Sequence, residues 1–264
     1  MVEGKRYFIR ILRPLYVVAA YVFLYLPMFV MVLFSFNNDK ISMEWKGFTW
    51  RWYKHFFSSP EILDALYTSL IVAFFSMLVS VVVGTCYVFA GRWFKQSVFS
   101  NLFYLNVILP DIILAVGVLS IFTFLHIPLG YASLIVGHSL IGLGFVIPIV
   151  KARFEELDPE LTEASLDLGA GHAQTFIRVI LPLLFPALIA SGLLVFTLSL
   201  DDFLIAFFCS SPNVQTLSVY VYSMIKTCID PSINAVSTCL LLVSSIMVLL
   251  LSAFKVIDRV IGHD

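Results

Sequence analysis

Charge is the scarcest property of this chain: 16 Lys and Arg plus 17 Asp and Glu make up 12% of 264 residues, against 60% hydrophobic. That balance excludes a water-soluble globular domain and leaves an integral membrane protein. A formal net charge of −1 provides no electrostatic footprint for nucleic acid. Cysteine is also scarce. Cys86, Cys209, Cys228 and Cys239 show no metal-ligand or redox spacing and read as small apolar fillers, although Cys209 and Cys228 both fall on the expected outer side and could pair. No G-x-x-x-x-G-K-[ST] occurs, so the chain supplies no P-loop of its own. Internal repeats, low-complexity tracts and soluble segments are missing too, which leaves one membrane domain over residues 1–264.

What is present is hydrocarbon in membrane-length runs. A bilayer core needs roughly 20 apolar residues as helix, and six stretches qualify, at about 14–36, 65–90, 102–125, 131–150, 183–208 and 234–254. The first follows Lys5, Arg6, Arg10 and Arg13 but is too long for a signal-peptide core and ends in S-F-N-N-D-K. It is expected to be an uncleaved span. With the N-terminus inside, 11 basic residues fall on the cytoplasmic side and 5 outside, out of 16, so both termini are expected in the cytoplasm. Trp45, Trp50, Trp52 and Tyr53 in the first outer loop suit a membrane-interface anchor. His126 to Gly130 joins the third and fourth spans as a tight hairpin. Residues 209–233 hold an amphipathic piece, L-S-V-Y-V-Y-S-M-I-K, expected to lie along the outer surface.

One polar island interrupts the hydrocarbon, from Leu157 to Pro182. Asp158 followed by Pro159 is a helix start, a side-chain cap and then proline at the first helical position. Leu161, Ala164, Ser165 and Leu168 keep i, i+3, i+4, i+7 spacing. Gly169 and Gly171 end that helix. A second amphipathic stretch with Phe176, Ile177 and Ile180 leads to Leu181-Pro182 and the next span. A helix-turn-helix with small residues along one stripe can seat closely in a partner's groove.

The spans contain three carboxylates, Asp111, Asp201 and Asp202, and no Lys or Arg. An acid in lipid is costly and faces a cavity or a partner, so each is a candidate functional residue. Asp111 follows Pro110, which removes a backbone bond and bends a helix. Asp201 and Asp202 point about 100° apart on a helix, so one can face a pathway while the other bonds locally. Thr197 and Ser199 are the hydroxyls spaced to serve them. Phe203 and Tyr222 can add cation–π contacts, and His138 reads as a hydrogen-bonded interior residue.

Glu163-Ala164-Ser165, then Gly169, Val179 and Leu181-Pro182, resembles the EAA loop of ABC-importer permeases, with Ser165 for the second alanine and Val179 for isoleucine. In that family the loop is the coupling helix that docks into a cytoplasmic ATPase, and the resemblance extends that role to Glu163, Ala164, Ser165, Gly169, Leu181 and Pro182. S-F-N-N at 35–38, W-x-G-F-T at 45–49, Pro110-Asp111-Ile112, S-L-D-D-F at 199–203, Y-S-M-I-K at 222–226 and P-S-I-N-A at 231–235 look like the second permease of spermidine/putrescine ABC importers. Gly144, Ser211, Ser218 and Ser232 depart from that pattern.

The resemblance implies an all-α, six-span type I importer permease in a bacterial inner membrane. It implies a second permease as heterodimer partner, two ABC ATPase copies carrying ATP and Mg, and an extracytoplasmic substrate-binding protein. The substrate pathway would use Asp111, Asp201, Asp202, Phe203 and Tyr222, with no cofactor in this chain. The alternative class is an ion-coupled secondary transporter or cation channel using the three aspartates. An intramembrane enzyme is disfavoured, since adjacent acids on one helix do not face each other as a catalytic dyad must.

Overall fold

In the computed structural model, residues 2–39, 44–91, 109–227 and 232–261 are described, apart from the side chains of 2–13, 15 and 250–261. The chain is helical, and among the described residues the only β features are two isolated bridges, Asn37 with Phe48 and Ser211 with Val214. The helices are α1 (Val2–Phe34), α2 (Arg51–Ser58), α3 (Pro60–Ala90), α4 (Asp111–Phe124), α5 (Tyr131–Glu155), α6 (Pro159–Asp167) and α7 (His172–Thr175). A π-helical turn (Phe176–Ile180) follows, then α8 (Leu181–Asp201), α9 (Leu204–Cys209), α10 (Leu217–Thr227) and α11 (Ser232–Ile261).

Among the described residues, five segments are long and apolar enough to cross a bilayer: Tyr16–Phe34, Pro60–Ala90, Tyr131–Glu155, His172–Asp201 and Ser232–Leu249. Asp111–Phe124 is a shorter apolar helix. It is the described part of the expected third span, whose residues 102–108 lie outside the described residues. Pro110 is extended (φ −57°, ψ 135°) and α4 starts at Asp111. Proline therefore opens a helix here instead of bending one. The expected fifth span also stops short, because Asp202 is extended (φ −67°, ψ 133°) and ends α8.

Two compact units make up the chain, Met1–Ser59 with Ser223–Leu241, and Pro60–Tyr222 with Leu242–Asp264. In the first, Asn37 organises the loop after α1. Its Nδ2 donates to the Glu44 carbonyl (2.6 Å), its Oδ1 accepts from Lys46 N (2.8 Å), and its own carbonyl accepts from Trp52 Nε1 (2.7 Å). Phe36 stacks on Phe48 and meets Trp50 and Tyr53, all with ring centroids 5.0–5.2 Å apart. Trp52 is buried, whereas Trp45 and Trp50 are exposed. The expected interface anchor thus divides into an internal strut and two outward rings.

In the second unit α3, α5 and α8 pack against one another. Helices in lipid gain no hydrophobic attraction for each other, so close backbone approach and interhelical hydrogen bonds hold them. The α3 face toward α5 supplies both. Ser76 Oγ donates to the Ile135 carbonyl (3.3 Å) and Ser80 Oγ to the Ser139 carbonyl (3.1 Å). Gly142 lies so close to Ser80 and Val195 that a Cβ there would stand 2.7 Å from Val195 Cγ1. Toward one end, Val72, Ala115, Phe122, Leu134, Ile205 and Cys209 form an apolar cluster that seats α4 and α9. Toward the other, Val88, Val146, Val150, Ile180 and Leu184 carry the base of the polar island. Cys209 is buried in the first of these clusters, and Cys228 lies outside the described residues. The turn before α5 is fixed by Ser133, whose Oγ accepts from Gly130 N (2.8 Å) and donates to the Cys209 carbonyl (2.7 Å).

Candidate functional site

The polar island folds as its sequence dictates. Asp158 Oδ1 caps α6 by accepting from Glu160 N (2.9 Å), with Pro159 at the first helical position. At the other end Gly169 takes φ +84°. Gly169 N bonds the Leu166 carbonyl (2.9 Å) and Ala170 N the Ser165 carbonyl (3.2 Å). Those two crossed bonds are a Schellman motif, which needs a left-handed residue and so favours glycine.

Thr162, Ser165 and Leu166 form the inner face of α6, and Ser165 Oγ lies 3.0 Å from Thr175 Oγ1. Leu161, Glu163, Ala164 and Leu168 are exposed, Leu168 at 89%. The expected stripe is therefore split: Ser165 holds the loop together, and the remaining positions present a small, partly apolar surface. Leu181 is half-buried and Pro182 exposed at the start of α8.

The π turn falls immediately before Pro182. A proline ring in a regular α-helix clashes with the carbonyl four residues back, here Arg178, and the wider turn, with Leu181 N bonded to the Phe176 carbonyl, relieves that clash. Phe176 packs on Phe89 (centroids 4.5 Å), which also meets Phe154 edge-on (6.5 Å). The loop is thereby joined to the ends of α3 and α5.

The acids occupy the opposite end of α8. Asp202, with its side chain 10% exposed, turns inward. Its Oδ2 accepts from Ala206 N (3.0 Å) at the start of α9 and lies 3.6 Å from His138 Nε2. His138 is 2% exposed, and its Nδ1 lies 2.7 Å from Ser199 Oγ. Asp111, exposed at the first turn of α4, is close enough to act on Asp202 electrostatically. Phe203, the residue after Asp202, meets Tyr222 with centroids 4.9 Å apart, and Phe207 completes an aromatic triangle.

Asp201 points elsewhere. It is exposed and accepts from Ser244 Oγ (2.8 Å) on α11. Of the five candidates, Phe203 and Tyr222 meet directly, Asp202 precedes Phe203 in the chain, and Asp201 is set apart.

The hydroxyls do not serve the acids as their spacing suggested. Thr197 Oγ1 donates back to the Leu193 carbonyl (2.9 Å), and Ser199 meets His138. A helical Thr finds its own preceding turn more readily than a residue four ahead, and Asp202 has left the helix. Among the described residues no group of three His, Cys, Asp or Glu side chains has the placement of a metal site. Ser199 Oγ is buried and lies 2.7 Å from His138 Nδ1, so it holds the imidazole in place.

The chain matches, over residues 2–263, the family model described as a binding-protein-dependent transport system inner membrane component. It belongs to that family. The permease is 34% identical over 246 residues to the spermidine/putrescine transport system permease protein PotC of Haemophilus influenzae, covering 90% of this chain and 94% of that one. It is 32% identical over 231 residues to the putrescine transport system permease protein PotI of Escherichia coli, covering 84% and 82%. Its fold resembles a chain of a bacterial alginate ABC transporter solved in complex with an alginate pentasaccharide-bound periplasmic protein. The TM-score is 0.71 at 15% identity, covering 98% of the permease and 96% of that chain. The structural likeness identifies the type I ABC importer permease fold across nearly the whole length.

Proposed function

We propose that the permease moves spermidine- or putrescine-type polyamines into the cytoplasm as one half of a heterodimer with a second permease. The observation that carries the reading is the end-to-end likeness to permeases of polyamine systems, with identity above 30% over most of both chains. The site chemistry supports it. Asp111, Asp201 and Asp202 fall in apolar segments that hold no Lys or Arg. Carboxylates of that kind suit a ligand carrying several ammonium groups, because each charge contact replaces lost hydration.

Two copies of an ABC ATPase, holding ATP and Mg, are the expected partners of the exposed α6 face, and an extracytoplasmic binding protein delivers the solute. With both termini in the cytoplasm, α6 lies on the ATPase side and Asp202 toward the outer side. ATPase closure pushes α6, the π turn passes the motion to α8, and the carboxylate end of α8 opens outward to receive the solute. Reset releases it inward.

Purification of this chain from native membranes in mild detergent should recover a P-loop ATPase and a second permease, identified by mass spectrometry. A chain that comes out alone, and moves cations in liposomes without ATP, would overturn the reading. At the loop, Gly169→Glu forces a side chain into a left-handed conformation costing about 1–2 kcal/mol and adds charge to the docking surface. ATP-driven uptake should fall by about tenfold or more while the chain still assembles in the membrane. Normal uptake would remove the loop from coupling.

A further inference from the structure

His138 stands outside everything assigned so far. It is a buried titratable side chain in the middle of a membrane helix, with Nδ1 held by Ser199 and Nε2 without a hydrogen-bond partner. That orphaned nitrogen points at Asp202 Oδ2 across 3.6 Å, slightly too far for a hydrogen bond. Beside the pair lies a small cavity lined by His138, Gly142, Val195, Leu198, Ser199 and Asp202, with space for about one water molecule. A buried imidazole nitrogen and a buried carboxylate facing one another across a gap are one proton short of a satisfied pair.

We propose that His138 and Asp202 form a single-proton site that controls whether the Asp202 carboxylate is available to a cationic solute, with His138 as its positioning residue. The proposal rests on the reading of Asp202 as part of the substrate pathway. Without the extra proton, Nε2 offers Asp202 either a lone pair or a long, weak donor, and the carboxylate keeps its charge for an ammonium group. With it, the pair closes into a charge-assisted hydrogen bond or the carboxyl carries the proton itself. Coupled groups at this spacing titrate as a unit, and in either microstate Asp202 no longer presents free negative charge. Proton and polyamine therefore compete for one site.

The neighbours favour that competition. Residues 73–83 of α3 contain no titratable group, and at this level α3 presents Ser76 and Ser80 to the α5 backbone. Of the neighbouring helices, α4 and α9 each carry one titratable group, Asp111 at the start of α4 and Cys209 at the end of α9. Asp201, on the same helix as Ser199, is turned to Ser244. Asp111 favours an added positive charge, whether it arrives as a proton or as an ammonium.

The test uses the complete transporter in liposomes, with radiolabelled putrescine presented by its binding protein at pH 5.5 to 8. Putrescine binding to the isolated binding protein is measured over the same range and divided out. The expected result is a KM that rises as pH falls, approaching about tenfold per pH unit once the pair is protonated, with kcat changing much less. In His138→Gln, which keeps a hydrogen-bonding side chain but cannot take the proton, the KM ratio between pH 5.5 and 7.5 should fall below about threefold.

A flat wild-type profile overturns the proposal, and so does a wild-type profile retained in His138→Gln. Should His138→Gln fail to assemble, Ser199→Ala releases Nδ1 at nearly constant volume and must displace the midpoint; an unmoved midpoint overturns the proposal equally. Asp202→Asn separates this inference from the one beneath it. Undiminished uptake in that variant at every pH removes Asp202 from the pathway altogether. Reduced uptake in Asp202→Asn beside an unaltered profile in His138→Gln overturns only the proton site.

Discussion

Asp202→Ala in the assembled transporter should lower polyamine uptake at limiting solute by about 100-fold. The substitution removes the pathway carboxylate and the acceptor for Ala206 N, the bond that joins the break after α8 to the start of α9. Each hydrogen bond to a charged group is worth about 1.5–3 kcal/mol, and about 1.4 kcal/mol is a factor of ten, so even at the low end two such losses give about two orders of magnitude. Asp202→Asn keeps an acceptor for Ala206 and should cost about tenfold. Asp201→Asn keeps the Ser244 contact and, set apart from Asp202, should raise KM less than Asp202→Asn does, with assembly intact. Uptake kinetics in liposomes, normalised to recovered complex, check all three. Unchanged kinetics in Asp202→Ala at normal recovery would place the pathway elsewhere.

The second large effect is structural. Gly142→Leu should abolish recovery of the folded permease. A Cβ alone at position 142 would stand 2.7 Å from Val195 Cγ1 and 2.9 Å from Ser80 Cβ, so α3, α5 or α8 must move before any larger side chain enters. Overpacking of this kind costs about 1–3 kcal/mol for a small addition, which Gly142→Ala should show as a lowered thermal midpoint, and leucine exceeds it. Gly117 on α4 is the control, since a Cβ there meets nothing within 4 Å. Gly117→Ala should leave the midpoint unmoved. Full recovery of Gly142→Leu would mean that the three-helix seam is looser than its glycine and serine contacts imply.

Local features were readable from the residues alone. Asp158-Pro159 and Gly169 fixed both ends of α6 because caps depend on a few neighbouring bonds. The membrane-length runs were visible because hydropathy over about 20 residues needs no knowledge of partners. What escaped detection were contacts between distant residues. His138 and Ser199 are 61 positions apart, and no spacing rule joins them. Asn37 lies in the S-F-N-N stretch that carries part of the family resemblance, yet nothing in its residue types shows that it bonds residues seven and nine positions later. Thr197 and Ser199 were assigned to the acids on helical spacing that Asp202 abandons. Only for Ser199 and Asp202 does helical spacing run through a position where the chain changes conformation.

Between the π turn and Asp202, α8 runs unbroken for 21 residues, about 30 Å at 1.5 Å per residue. Mechanically it is a rod with a joint at each end: a widened turn where the docking loop begins, and an extended residue where the acids sit. Pinned along its length by α3 and α5, such a rod moves more readily as a unit than by bending, and Pro186 is its interior weak point. On the proposed coupling route, the two joints set the gearing: how far Asp202 travels for each ångström of movement at α6.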